Sequence, residues 1–479
     1  SELADLLKNE HAALVQLLDS IRKMDERQLV ESDQVNLRGY FRFYRNLSVL
    51  LDGKARLDLP FRERTRSLWQ APTGTLMKLR ENKDKLRQLR HYIRDAFDQH
   101  LAIDLFELNE AKFVLFDKAP PDDIEDHLDD RTKQLFSTAR DLSEFSDGVR
   151  TYVGIHAHLL SEDRKFVMLD EPEAFLHPPL ARRLGSNLTT LAAQRGACVF
   201  AATHSPDFLM GCIDAGIGVN IIRLSYRNGR ATAHLLPREE LQEMMLDPLL
   251  RSTGMLGALF HQAAVVVEGD SDRAFYGEIN ERLRVHDSEQ HPRIMRDCVF
   301  LNAQGKQNVP RIFGALRRLG VAATGIIDLD LLKDQGTSSD LFRESGAPES
   351  ISKTIGVLRG NVRAEIKDIV ALCAPLGLKQ ASEDEKKAVS HFIREMEACG
   401  VLIPPVSVLE GWLSDLGVKV PRDKKDKKAW ILEIFQKMGR LDTGLKPSKG
   451  DVWDFMRKIG QVLERLAFPV EDEGLGLPT

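Results

Sequence analysis

Glu268 and Asp272 stand in the run Val265-Val266-Val267-Glu268-Gly269-Asp270-Ser271-Asp272, and Asp328-Leu329-Asp330 follows about sixty residues later. Carboxylates are hard oxygen donors, and a set of them suits Mg2+ or Mn2+ better than zinc. Crowded together they repel one another unless a divalent cation lies between them. One or two such ions activate water and neutralise a phosphoryl transition state. The set therefore reads as a metal site for phosphodiester chemistry.

Certain elements must position these groups. Ala263 to Val267 is apolar and β-branched, as suits a strand buried on both faces. Glu268 falls at its carboxyl end, Gly269 permits a turn, and Asp270-Ser271-Asp272 offers an N-cap for the amphipathic stretch Arg273 to Leu283. Ligands collect at the carboxyl ends of such strands. Ala322 to Ile327 repeats the pattern, and Asp328 and Asp330, two apart, share one side if the chain stays extended. Further on, Val401-Leu402-Ile403 and Val406 to Leu413 predict another strand leading to a helix, with Glu410 near the helix start, where a carboxylate also favours the dipole. Lys446 and Lys449 precede a helix expected over Asp451 to Leu466.

A second constellation lies upstream. Phe166-Val167-Met168-Leu169-Asp170-Glu171-Pro172 is an apolar strand running into two acids, a Walker B arrangement. There Asp170 helps to hold Mg2+, and Glu171 orients or deprotonates the water that attacks the terminal phosphate. The strand Ala197 to Ala202 ends in Thr203-His204-Ser205-Pro206, placing His204 beside the same edge to sense that phosphate. Ser146 and Gly148 supply a hydroxyl and a glycine turn at a helix start, a favourable place for phosphate.

Glu268-Gly269-x-x-Asp272 followed by Asp328-x-Asp330 resembles the Toprim pattern of topoisomerases, primases and some nucleases. Leu169-Asp170-Glu171-Pro172-Glu173-Ala174 with Ala202-Thr203-His204-Ser205-Pro206 resembles ABC-type ATPases of the RecF and SMC branch. The two in this order, over about residues 130 to 465, resemble the OLD (overcoming lysogenisation defect) nucleases. The resemblance implies an α/β fold: an ABC-type ATPase lobe with a long helical arm, then a Rossmann-like Toprim domain with helical additions. It divides the chain into an arm or dimerisation insertion over 1–118, an ATPase lobe with signature, Walker B, D-loop and histidine switch over 131–236, and a Toprim domain over 258–479.

The same resemblance implies a metal-dependent DNA endonuclease or nickase regulated by ATP, in a family with several members acting in phage defence. Mg2+ or Mn2+ would be held by Glu268, Asp272, Asp328 and Asp330, joined by Glu410 as a late glutamate, with Lys449 or Lys446 as a late lysine at the scissile phosphate. ATP would meet Ser146, Gly148, Asp170, Glu171 and His204. Implied partners are DNA, a second copy or more of the chain, and a defence-system protein. One departure is that no Gly-x-x-x-x-Gly-Lys-Ser/Thr occurs in these 479 residues. An amino-terminal ATPase lobe is then expected ahead of Ser1, the alternative being a protein without a P-loop. The competing function is a RecF- or SMC-like DNA-binding or clamp protein whose Toprim fold does not cut. A topoisomerase-like transesterase needs a tyrosine nucleophile, and none of the 6 tyrosines sits in a recognisable motif.

Composition agrees with several domains, each with its own core. No apolar stretch approaches membrane-spanning length, and no secretory signal opens the chain. The 5 cysteines lack metal-type spacing, which favours a reduced, cytoplasmic setting. With a net charge of -5, attraction to DNA must come from local surfaces. Lys78 to Arg94 and Lys419 to Lys428 are the basic stretches, each a candidate phosphate contact or an ordinary solvated face. Pro237 to Gly257 is expected to bridge the two halves.

Overall fold

The computed structural model describes residues 48–52, 62–64, 74–107, 110–122, 124–227, 230–236, 254–333, 349–419 and 427–467. The chain divides into two units, Ser1–Ile217 and Gly218–Thr479. Most of the Pro237 to Gly257 bridge, and most of the Lys419 to Lys428 stretch, lie outside the described residues.

The first unit holds a parallel sheet of β1 (Ser48–Leu51), β6 (Phe166–Asp170) and β7 (Cys198–Ala202), in the order β1-β6-β7. A second, antiparallel sheet joins β2 (Arg62–Arg64), β4 (Glu110–Phe116) and β3 (His100–Asp104), with β5 (Arg140–Asp141) pairing β4. The helical arm expected over 1–118 is therefore not continuous through its described part. There the helices are Thr75–Glu81 and Lys83–Phe97, and strands flank them. Asp98, left-handed at φ 53°, ends the longer helix, and the apolar run Leu101-Ala102-Ile103 then pairs with β4 and is buried. Residues 1–47 lie outside the described region.

One face of the parallel sheet is packed and the other is not. Val167 and Leu169 are buried, whereas Leu50, Met168 and Phe200, aligned across the three strands, are 56%, 39% and 57% exposed. The packed face meets a core that includes Leu79, Ile93, Tyr152 and Leu184. The helices Pro178–Arg195 and Pro206–Asp214 approach through glycine: a Cβ on Gly211 would come within 1.8 Å of the Arg182 carbonyl oxygen.

The second unit opens with the antiparallel hairpin of β8 (Ile221–Arg227) and β9 (Arg230–Leu236). Its main sheet is wholly parallel, in the order β11 (Cys298–Asn302), β10 (Ala263–Val267), β12 (Ala322–Ile326), β13 (Val401–Leu402). All five residues of β10 are buried, as the uninterrupted valine run predicts. Helices Asp270–His286 and Asp451–Ala467 share a core with β10 through Phe275, Tyr276, Trp453 and Ile459. Helices Glu349–Glu365 and Glu383–Ala398 stand between β12 and β13 in the chain.

Two local expectations are corrected. The first helix of this unit starts at Asp270, with Gly269 as its N-cap and without a side-chain capping bond; Asp270 and Asp272 lie in its first turn, where acids favour the dipole. After β13 the chain forms short 3-10 turns at Leu409–Gly411 and Ser414–Leu416 in place of a helix. Pro404 and Pro405 limit strand extension, and Gly417 takes a left-handed turn at φ 69°.

Candidate functional site

Glu268 leaves β10 at the carboxyl edge of the parallel sheet, and its Oε1 accepts the backbone N–H of Asp328 at 2.8 Å. This bond ties together the ends of two neighbouring strands and brings both acidic motifs to one place. Asp272 is buried in the first turn of the following helix, and its Oδ2 lies 3.2 Å from where a Gly269 Cβ would stand. The absence of a side chain at Gly269 thus lets the Asp272 carboxylate fold back towards the Glu268 turn.

Asp330 reaches the edge by a different route from the extended one expected. Leu329–Lys333 is a 3-10 turn, drawn in by buried Leu329, Leu331 and Leu332 and held by Leu329 N–H on the Ser407 carbonyl at 2.8 Å. Lys306, on the turn after β11, gives an ammonium to Asp330 Oδ1 at 3.1 Å. Sequence reasoning missed Lys306, although Gly305-Lys306 just past a strand was the available signal.

The electrostatics follow from this crowding. Burial pushes the Glu268 carboxyl up to about 7, and the charges of Asp330 and Asp272 add to the rise against the Asp328 N–H and the Lys306 charge. Tyr276, one turn beyond Asp272, is held protonated well above the ordinary range by burial and by the charge of Asp328, Asp272 and Glu268; it accepts the Trp412 indole N–H at 3.0 Å. A buried carboxyl whose charge is opposed further by acidic neighbours is a group that a divalent cation would relieve, and the donors are all hard oxygens. The set thus fits Mg2+ or Mn2+ in its chemistry. Among the described residues, no three His, Cys, Asp or Glu side chains already enclose a metal-sized point.

Glu410 lies in the turn after β13, the strand beside β12, and the Ser407 carbonyl of this loop holds the Leu329 turn. Lys449 precedes Asp451, whose Oδ2 accepts Leu413 N–H at 3.1 Å, so its loop borders the Glu410 turn. Among the described residues, the lysine paired with a site carboxylate is Lys306.

In the first unit, Asp170 ends β6 and Glu171 follows in a left-handed conformation, φ 46°, with its N–H on the Ala202 carbonyl at 2.8 Å. Non-glycine residues held this way often sit at functional sites. His204 Nε2 stands 3.7 Å from Glu171 Oε1, and Glu173 Oε1 accepts both Thr203 Oγ1 at 2.7 Å and His204 N–H at 3.2 Å. Ser146 is the N-cap of the helix Asp147–Ser161, and a Cβ on Gly148 would meet the Phe175 carbonyl oxygen at 2.6 Å. The signature-like turn therefore packs on the loop that follows Asp170 and Glu171.

The basic stretch Lys78 to Arg94 is largely neutralised. Lys78 pairs with Glu162, Lys83 with Asp126, Lys85 with Asp163, Arg87 with Asp84 and Arg90 with Glu125. Four of these five acids, all but Asp84, come from other segments and are invisible in a local charge count, so much of the stretch is ion-paired.

Residues 259–330 match a family model described as "Overcoming lysogenization defect protein-like, TOPRIM domain", and residues 25–210 match one described as "AAA domain, putative AbiEii toxin, Type IV TA system". The chain thus joins an ATPase domain to an OLD-like Toprim domain, the composition of a nuclease with an ATPase module. No curated protein is similar enough to count as a relative. Similar solved structures include an SMC ATPase described for ATP-driven dimerisation and DNA-stimulated activation, 10% identical, TM-score 0.26, covering 36% of this chain and 95% of that one. Another is an SMC head bound to the C-winged helix domain of ScpA, 13% identical, TM-score 0.25, covering 43% of this chain and 56% of that one. Likeness this slight defines neither fold nor function. No helix among the described residues is long and apolar enough to cross a membrane.

Proposed function

We propose that this chain is a metal-dependent DNA endonuclease or nickase of the OLD type, with an ATPase module controlling access to DNA. The observation that carries the reading is the meeting of Glu268, Asp272 and the Asp328–Asp330 turn at one strand edge, where burial first, and then the charges of Asp330 and Asp272, raise the Glu268 pKa. Glu268, Asp272, Asp328 and Asp330 would hold Mg2+ or Mn2+, with Glu410 approaching from the β13 loop. The bound ion supplies an activated water and neutralises charge at the phosphorus. Glu268 fixes the spacing of the two acidic motifs through its bond to the Asp328 backbone, and buried Tyr276 and Trp412 support that wall. Asp170, Glu171 and His204, with the Ser146–Gly148 turn, would serve ATP bound with the help of a P-loop that this sequence does not contain. Homodimerisation and a role in phage defence belong to the same reading. So does the division into an ATPase lobe over 131–236 and a Toprim domain over 258–479.

A second reading is favoured by the Lys306–Asp330 pair and the lack of an enclosed ligand set among the described residues. On it, the Toprim fold serves a DNA-binding or clamp protein without cutting. Plasmid cleavage by the purified chain in Mg2+, Mn2+ or EDTA separates the two. Asp328→Ala is the control, because its backbone N–H, and so the bond to Glu268, survives the substitution. Metal-dependent nicking lost in Asp328→Ala supports the nuclease. DNA binding indifferent to chelator, with no cleavage by the full-length protein, supports the clamp.

A further inference from the structure

We propose that Lys306 is an exchangeable counter-ion of the acidic edge: it pairs with Asp330 while no cation is bound, and turns to a DNA phosphate when a divalent ion takes Asp330. The inference rests on the nuclease reading and deepens it by naming the residue that couples metal loading to substrate. Its first support is placement. The turn carrying Lys306 is fastened to the strand carrying Glu268, since Ala303 N–H donates to the Val267 carbonyl and Gly305 N–H to the Glu268 carbonyl, each at 2.8 Å. Gly305 at φ 133° is in a conformation that side chains rarely adopt, and Gln304 at φ 57° is also left-handed. Gly305 adopts its conformation without strain, so the backbone strain of this turn, which leads directly into Lys306, rests on Gln304.

The second support is the nature of the pair. The Lys306 and Asp330 side chains are 20% and 32% exposed, so the pair is only partly screened but is still reached by solvent and ions. A divalent ion on Asp330 outcompetes a single ammonium and repels it. The backbone of Lys306 is pinned, so the flexible four-carbon stem must take up the movement. A DNA phosphate drawn to the ion brings anionic oxygens to the same edge, where an ammonium makes a strong charge-assisted bond. Lys449 and Lys446, the lysines that sequence alone suggested, have no comparable pair with a site carboxylate among the described contacts.

The test uses the full chain as wild type, Lys306→Gln, Lys306→Arg and Asp328→Ala. Mn2+ affinity is measured by calorimetry, duplex DNA affinity in Ca2+ at several salt concentrations, and cleavage in Mn2+. Lys306→Gln is expected to bind Mn2+ about threefold to tenfold more tightly, because a competing charge is gone. It should bind DNA more weakly, with a salt slope lower by about one, and cleave about 100-fold more slowly; Lys306→Arg should restore DNA binding and cleavage. A merely structural lysine would lower metal affinity on removal, so unchanged or weaker Mn2+ binding by Lys306→Gln overturns the exchange. Lys306→Met, which keeps the apolar stem, replaces the Gln variant if the latter melts early. Wild type that binds Mn2+ and cuts while Lys306→Gln does both equally well loses only the exchange. Wild type that binds no Mn2+ overturns the nuclease reading and this inference together.

Discussion

At the scale of single residues, Glu268 does two tasks that separate on substitution. Its charge belongs to the acidic edge, and its Oε1 anchors the Asp328 backbone at 2.8 Å. Glu268→Gln keeps an acceptor for that N–H and removes a charge that burial disfavours. The variant should therefore melt no lower than wild type while Mn2+ binding and plasmid nicking are lost, a difference read by calorimetry beside a gel assay. A drop in melting temperature together with retained nicking would assign Glu268 to structure alone. Glu268 and Asp272 were legible in sequence because the valine run and the glycine mark the turn. Lys306 was not, because its worth depends on Asp330, 24 residues away in the chain.

At the scale of elements, the helix Asp147–Ser161 carries a buried polar group with a measurable consequence. His156 is fully buried between Tyr92 and Tyr152, ring centroids at 4.8 and 4.4 Å; its Nδ1 meets the Tyr152 carbonyl oxygen at 2.8 Å. The carbonyl can only accept, so Nδ1 is the protonated nitrogen of a neutral ring. Burial depresses its pKa to about 4 from the ordinary 6.5. The unfolded chain therefore binds a proton that the folded chain refuses as pH falls through this window. Stability present above about pH 6.5 is lost towards pH 4, by up to about 3 kcal/mol. His156→Gln should flatten that slope in urea titrations at several pH values; an unchanged slope would clear His156. In the same unit, Gly211→Ala drives a methyl into the Arg182 carbonyl and should cost about 1–3 kcal/mol.

At the scale of the whole molecule, the two units have separate cores with no residue in common. Calorimetry should resolve two transitions, with Gly211→Ala lowering one and Trp453→Ala, which empties a fully packed site, lowering the other by about 3–5 kcal/mol at its midpoint. A single transition shifted by both variants would contradict independent cores. The uncovered stripe of Leu50, Met168 and Phe200 on the parallel sheet is a feature of this scale too, because strands of parallel sheets are ordinarily buried on both faces.

Local order carried much of this protein on its own: β-branched runs ending in acids, and glycine or proline after them, specify strands and turns through short-range sterics. That is why β6, β7, β10 and β12, and the acidic residues at their ends, could be read directly from the chain. Contacts between distant segments could not. The pairing of Ser48–Leu51 with β6 broke the expected helical arm, buried leucines coiled Asp330 into a 3-10 turn, and partners such as Glu162 and Glu125 neutralised the basic stretch. Each depends on which side chains meet across long separations in sequence, and only packing decides that.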